Sequence, residues 1–406
     1  MSDIQITSVP GFLAGALNCG IKASGKPDLA MLVSENTATA AGVFTTNKIV
    51  GAPVIVGRKN IKRGRLIGCV TNSGCANVCT GKRGIADALR MCELTSECLA
   101  QRGILGDEKK ILPLSTGIIG HYLPMENISE GIPRLVGEIG ASAEHAEQFA
   151  HGILTTDTRP KRAAVRFHLG KTPVMMAGAC KGSGMVAPNM ATMLAYIVTD
   201  AAISRAVLHR AVKTVADQTF NCVSIDQHTS TSDTFVCMAN GRAGNAPPLP
   251  DSTAYRDFTK ALMAVADDMA QQIAADGEGA TKMVTIEVIG ARFASRARKA
   301  AMAIANSPLV KTAIHGGDPN WGRFISAAGY SGSGLNPDRA RCWVGGIEVF
   351  RHGRPTDVPL EQIRQVMKEK RLTIRVDLGV SSLASAKVYT CDLSREYITI
   401  NADYHT

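Results

Sequence analysis

The sequence predicts an α/β protein: a layered, αββα-like sandwich over residues 1–284, followed by a smaller C-terminal α/β domain over 285–406. Three observations predict it. Apolar runs of strand length alternate with amphipathic helical stretches, with no internal repeat or low-complexity segment. A long helical pattern stops at Asp276-Gly277, a turn signal. Beyond it the chain becomes richer in strands.

Arg65–Val70, Thr192–Thr199 and Met283–Ile289 read as strands, since each is a short apolar or β-branched run. Gly84–Gln101 reads as a helix. Ser204–Asp217 does too, with a serine N-cap and Val207, Leu208, Ala211, Val212 and Val215 on one face. A third helix, Tyr255–Ala275, carries Phe258, Leu262, Val265, Met269 and Ile273 at helical spacing. Near the end, Leu372–Leu378, Ala386–Thr390 and Tyr397–Ile400 are expected as strands.

The chain of 406 residues is 45% hydrophobic and 20% charged, an ordinary composition for a soluble globular protein. Its start, Met1-Ser-Asp-Ile-Gln-Ile6, lacks the basic and apolar segments of a signal peptide. No apolar run reaches the ~18 residues of a membrane span, so a cytoplasmic protein without membrane contact is expected. The eleven cysteines include no CxxC pair, and the nine histidines form no HxH or HExxH. Reduced, mostly buried thiols and no metal site are therefore expected. The net charge of +10 is spread out; its densest patches are Arg58–Arg63 and Arg292–Lys299. With 5% aromatic residues and no recognition motif, nucleic acid is not an expected partner. The positive field suits an acidic metabolite. Phosphate-loop readings fail on spacing: six residues separate Gly74 from Gly81, and no Ser or Thr follows Lys82.

The stretch most suggestive of chemistry is Lys181-Gly-Ser-Gly-Met-Val-Ala-Pro-Asn-Met-Ala-Thr192, which turns abruptly into an apolar run. A threonine there becomes a nucleophile if the Ala191–Thr192 bond is cut. The cut frees an α-amine with an ordinary pKa of about 7.7–8.0. That amine can take the proton of the threonine's own hydroxyl. Read by composition alone, the segment is an ordinary loop and Thr192 an ordinary strand residue.

The segment Lys181–Leu194 resembles the self-cleavage segment of the glutamate/ornithine N-acetyltransferase family. Thr71-Asn-Ser-Gly-Cys-Ala-Asn77, Ser115-Thr-Gly-Ile-Ile-Gly120 and Thr155-Thr-Asp-Thr158 resemble further segments of that family. So do Asp276-Gly-Glu-Gly-Ala-Thr-Lys282, Asp318-Pro-Asn-Trp-Gly-Arg323 and Ile400-Asn-Ala-Asp-Tyr-His-Thr406. The blocks run in family order from about residue 10 to the end.

The resemblance implies cleavage into fragments 1–191 and 192–406, assembled as α2β2. It implies acetyl transfer from N-acetylornithine to Thr192 and then to glutamate, releasing ornithine and N-acetylglutamate. No cofactor is implied; acetyl-coenzyme A as a second donor stays open. The family's oxyanion pair falls on Thr116 and Gly117, and its substrate-binding positions on Thr155, Lys181, Thr192, Glu278, Asn401 and Thr406. Within Thr155-Thr-Asp-Thr158, Thr156 or Thr158 could make the contact in place of Thr155. Lys181 would meet a carboxylate, and Glu278 the substrate's amino group. One departure stands out: where the family often reads Asp-Gly-Asp-Thr, this chain has Asp226-Gln-His-Thr229. Two other readings fit less of the sequence: a self-cleaving amidohydrolase or aminopeptidase using the same threonine, and an uncleaved binding protein.

Overall fold

The computed structural model of the chain describes residues 4–187, 193–380 and 383–403. Among these, eight strands form one sheet: β1 (Phe12–Leu17), β2 (Leu29–Phe44), β3 (Arg65–Cys75), β4 (Ile111–Ile118), β5 (Lys161–Leu169), β6 (Thr172–Lys181), β7 (Leu194–Thr199) and β8 (Thr234–Ala239). Their order is β4-β3-β2-β8-β7-β6-β5, with β1 antiparallel to β2.

The shape follows from β2, which is 16 residues long. Its first part, Leu29–Val33, pairs with β1 and β3; the register then slips between Val33 and Ala38, and Thr39–Phe44 pairs with β8. An irregularity of this kind bends a strand and increases its twist. The sheet thus folds over itself. Leu32, Leu66, Cys69 and Leu114 from β2–β4 meet Ala177, Tyr196, Val236 and Met238 from β6–β8 in one buried cluster. The polar tip of Tyr196 is satisfied inside it by Thr71 Oγ1 at 2.8 Å.

Helices Ala52–Asn60, Gly81–Gln101 and Met125–Glu138 cover the outer face of the β1–β4 half. Helices Arg205–Gln218 and Thr253–Ala275 cover the outer face of the β5–β8 half. The layers therefore run helix, sheet, sheet, helix, the αββα-like order expected. Both of the last two helices start where a serine hydroxyl accepts from the backbone: Ser204 from Val207 N, and Ser252 from Tyr255 N at 3.1 Å. The strands expected at Arg65 and Met283 run on to Cys75 and Ala291, and the one expected from Thr192 is seen from Leu194.

The second sheet contains β9 (Met283–Ala291), β10 (Arg341–Val344), β11 (Ile347–Arg351), β12 (Arg354–Pro355), β13 (Arg371–Asp377) and β14 (Ala384–Cys391), in the order β12-β11-β10-β13-β9-β14. Helices Ala294–Asn306, Pro308–Gly316, Gly322–Tyr330 and Leu360–Met367 share its core. Met283, Tyr389 and Cys391 instead join the core under the Thr253–Ala275 helix, so the two sheets are packed together.

One expectation is corrected. Tyr397–Ile400 is not a strand; it lies in the helix Arg395–Asp403. The β-branched run favours a strand locally, but β14 already forms the sheet edge. The chain after it is instead tied to the 276–282 turn, where it closes into a helix. All eleven cysteines carry free thiols, eight of them buried. Among the described residues no helix is long and apolar enough to cross a membrane.

Candidate active site

Three separate segments end at one place: the end of β4, the end of β6, and the loop between the helix Ala143–Gly152 and β5. Lys181, the last residue of β6, joins them. Its Nζ donates to Thr155 Oγ1 at 2.7 Å and to Thr116 Oγ1 at 3.3 Å, and lies 3.8 Å from Asp157 Oδ2. Lys181 is buried, and burial pushes its ammonium below the usual lysine range. Asp157, Glu278 and Asp233 oppose that shift, while Lys161 adds to it.

The end of β4 is held by polar bonds to its neighbour. Ser115 Oγ donates to Asn72 Oδ1 at 2.5 Å, and Asn72 Nδ2 donates to Cys75 O at 2.8 Å. Gly117 registers with Gly74 of β3 and has φ 129°. A Cβ at Gly117 would fall 2.3 Å from the Gly74 carbonyl carbon, so a side chain is excluded on both steric and backbone grounds.

The loop carrying Thr155 is organised by buried charge. Asp157 accepts from Lys161 Nζ at 2.6 Å, Gly182 N at 2.7 Å and Thr155 N at 3.2 Å. Lys161 also donates to Asp276 Oδ2 at 2.6 Å. Asp276 in turn accepts from the backbone and hydroxyl of Thr158. Within the Thr-Thr-Asp-Thr block, Thr155 therefore faces Lys181 while the Thr158 hydroxyl is engaged by Asp276.

Glu278 enters from the far side of Asp276. Its backbone N–H donates to Ser183 O at 2.9 Å, and its carboxylate lies over Gly184, where a Cβ would meet Glu278 Oε2 at 2.3 Å. The closing helix covers this turn: Asn401 Nδ2 donates to Glu278 Oε2 at 2.8 Å, and Ser394 Oγ to Gly279 O at 2.6 Å. Asp392 anchors both by accepting from Thr281 N, Thr281 Oγ1, Lys282 N and His315 Nδ1, all within 2.8 Å.

Thr116, Gly117, Thr155, Lys181, Glu278 and Asn401 thus converge from distant parts of the chain. Ala191, Thr192 and Thr406 lie outside the described residues. The described residues flanking the expected cut are held by two acids. Asp226 accepts from Met185 N at 2.6 Å and Val186 N at 2.8 Å. Asp233 accepts from Met193 N at 3.0 Å. Burial pushes the Asp233 carboxyl well above the usual carboxylate range, against the pull of Met193 N–H, Ser230 and Lys181. Gln227 takes a backbone φ of 65°, the left-handed region that glycine occupies without cost, and its Nε2 donates to Asn306 O at 2.6 Å. That hydrogen bond offsets part of the strain.

Sequence reasoning missed Asp157, Lys161, Asp276, Asp226 and Asp233. Four of these are acids inside or beside the quoted blocks, which is a usable signal. Lys161 has none, since its partners become visible in three dimensions alone.

The ArgJ family profile matches residues 13–406. The arginine biosynthesis bifunctional protein ArgJ of Symbiobacterium thermophilum is 42% identical over 403 residues, which is 99% of this chain and 98% of that protein. Its counterpart in Dehalococcoides mccartyi is 42% identical over 409 residues, 100% of this chain and 98% of that protein. A crystal structure of arginine biosynthesis bifunctional protein argJ from Bacillus halodurans is 40% identical, covers 50% of this chain and 96% of its own, and superposes with a TM-score of 0.49. A match of this length and identity leaves one conclusion: the chain belongs to the ArgJ family.

Proposed function

We propose that this enzyme of arginine biosynthesis moves acetyl from N-acetylornithine to glutamate through an acetyl-threonine on Thr192, after cutting itself between Ala191 and Thr192. In maturation the Thr192 hydroxyl attacks the Ala191 carbonyl, and water opens the resulting ester. The Ala191–Thr192 C–N bond breaks as the ester forms, so after hydrolysis fragment 1–191 ends in a carboxylate, fragment 192–406 begins with a free α-amine, and both stay in the fold. In turnover that amine takes the hydroxyl proton as Thr192 Oγ attacks the acetyl carbonyl of N-acetylornithine. The C–N bond breaks and ornithine departs with the proton. The amine of glutamate then attacks the acetyl ester, the acyl C–O bond breaks as Thr192 Oγ takes back a proton from that amine, and N-acetylglutamate leaves.

One observation carries this reading: Lys181 donates to Thr116 Oγ1 as well as to Thr155 Oγ1. Because Thr116 Oγ1 accepts from Lys181, its own O–H is left to donate elsewhere. A hydroxyl beside a glycine backbone and a buried ammonium is what a developing oxyanion needs. Glu278, over the glycine segment that follows Lys181, suits the side-chain ammonium of the ornithine moiety. We place the reaction in the cytoplasm, assign two copies of each fragment to the assembly, and count acetyl-coenzyme A as a second donor, in keeping with the bifunctional names of the relatives.

Denaturing electrophoresis and a donor–acceptor assay test the proposal. Two bands are expected in place of one at 42.9 kDa, and Thr192→Ala should restore the single band. Purified protein given N-acetylornithine should release ornithine and form N-acetylglutamate when glutamate is present. Acetate release that ignores glutamate would instead mean hydrolysis and sink the transferase reading. Thr116→Ala should lower kcat on the order of 100- to 1,000-fold.

A further inference from the structure

Lys22 lies against the same site and has no role in the chemistry above. It sits in the loop after β1, which Asp28 shapes by accepting from the backbone of Cys19, Ile21 and Lys22 at 2.7–2.9 Å. Two contacts place its side chain. Its stem packs on Gly74, where an added Cβ would lie 3.2 Å from Lys22 Cγ, and Gly74 is the register partner of Gly117. Its Nζ donates to Leu154 O and to Pro27 O, each at 2.8 Å. Leu154 precedes Thr155, whose hydroxyl takes the Lys181 ammonium. Two ammonium groups thus grip consecutive residues of one loop.

The two lysines differ in what neutralises them. Lys181 has Asp157 at 3.8 Å. Lys22 has carbonyl partners, and among the described residues no carboxylate comes within ion-pair distance of its Nζ. Carbonyls solvate an ammonium without cancelling its charge, and two of them leave one of its three N–H groups unused. The side chain is half-buried, so that donor is not sealed away from a ligand. A partly desolvated cation with no ion-pair partner suits an anion.

We infer that Lys22, beside the Lys181 that the family resemblance sets against a carboxylate, also binds the α-carboxylate shared by N-acetylornithine and glutamate, and so helps position donor and acceptor in turn. The inference rests on the acetyl-transfer reading. A ping-pong exchange must seat both molecules with their nitrogen at the same threonine, and the α-carboxylate is the one anionic group fixed relative to that nitrogen in both. Burial pushes Lys22 down to about 8, Asp28 opposes this, Lys181 pushes further down, Asp157 opposes and Lys26 adds. The bound carboxylate would therefore be held less well as pH rises through about 8.

The test compares N-acetylornithine with N-acetylputrescine, the same donor without its carboxylate, through kcat/KM for the donor, which reports the first half-reaction alone. Lys22→Met should lower kcat/KM for N-acetylornithine about 10- to 100-fold, the range for a hydrogen bond to a charged group. N-acetylputrescine should be a poor donor for the wild type and no worse for Lys22→Met, and Lys22→Arg should recover part of the loss on N-acetylornithine. An equal loss on both donors, or no loss on either, overturns the inference. If Lys22→Met does not fold, the wild type decides: kcat/KM for N-acetylornithine should fall above about pH 8 relative to N-acetylputrescine. Parallel profiles would overturn it. Failure of the wild type to move acetyl to glutamate at all would strike the proposed function instead.

Discussion

Two charged clusters border the site, and they are built in opposite ways. On the sandwich side the side chains of Asp157, Lys161, Asp276 and Lys181 are all buried and joined by contacts of 2.6–3.8 Å. On the tail side Glu278 is half-buried and Asn401 exposed, and a single hydrogen bond joins them. Charges sealed from water hold one geometry because any departure leaves a charge unpaired. A bond at the surface can exchange with water at little cost. The wall that holds Thr116 and Lys181 is therefore fixed in one geometry, and the wall proposed to meet the ornithine side chain is freer to adjust.

Lys161→Met should show the difference most strongly. It leaves Asp157 and Asp276 buried without their shared cation, and should cost about 3–5 kcal/mol in urea unfolding. A loss below about 1 kcal/mol would mean that the cluster does not brace the fold.

A smaller effect should appear in acid. Burial would raise Asp157, but the Lys181 and Lys161 charges and the Gly182 N–H outweigh it and hold the carboxyl at about 2. A depressed carboxyl stabilises the fold above its unfolded pKa of about 3.9, and that contribution is lost as pH falls toward 2. It amounts to something on the order of 2 kcal/mol. The stability gap between wild type and Asp157→Asn should therefore close between pH ~4 and ~2; a gap that stays constant there would contradict the assignment.

Asn401→Ala should have the smallest effect. It removes two exposed bonds, to Glu278 and to the Tyr397 carbonyl one turn back, together worth about 1 kcal/mol, so KM for N-acetylornithine should rise a few-fold with little change in the unfolding midpoint. A large stability loss would show that the tail helix braces the fold as the buried cluster does, and would erase the contrast.

How much of this the residues disclose depends on how local each cause is. The helices at Arg205–Gln218 and Thr253–Ala275 announce themselves, since a serine cap and apolar residues at 3–4 spacing are both within one segment. The tail helix does not. Tyr397-Ile-Thr-Ile400 has strand propensity, and what overrides it is contact with Gly279, Thr281 and Lys282, more than 100 residues earlier. The same distance hides the Lys161–Asp276 pair, 115 residues apart. Thr116, Lys181 and Glu278 could be named in advance because they stand in family blocks. Lys22 stands in none, and its two carbonyl partners give no side-chain signal to find it by.

The strand order has a consequence for the proposed cut at Ala191–Thr192. β7 and β8 follow it in the chain, yet they sit between β2 and β6, which precede it. Fragment 192–406 is therefore inserted as a two-strand wedge into a sheet made by fragment 1–191, paired along β2–β8 on one side and β6–β7 on the other. Pulling it out would mean unzipping both edges and opening the sandwich core. Before the cut the protein folds as one molecule, at a rate independent of concentration. After the proposed cut, refolding from denaturant would require two chains to meet, so recovery should depend on concentration.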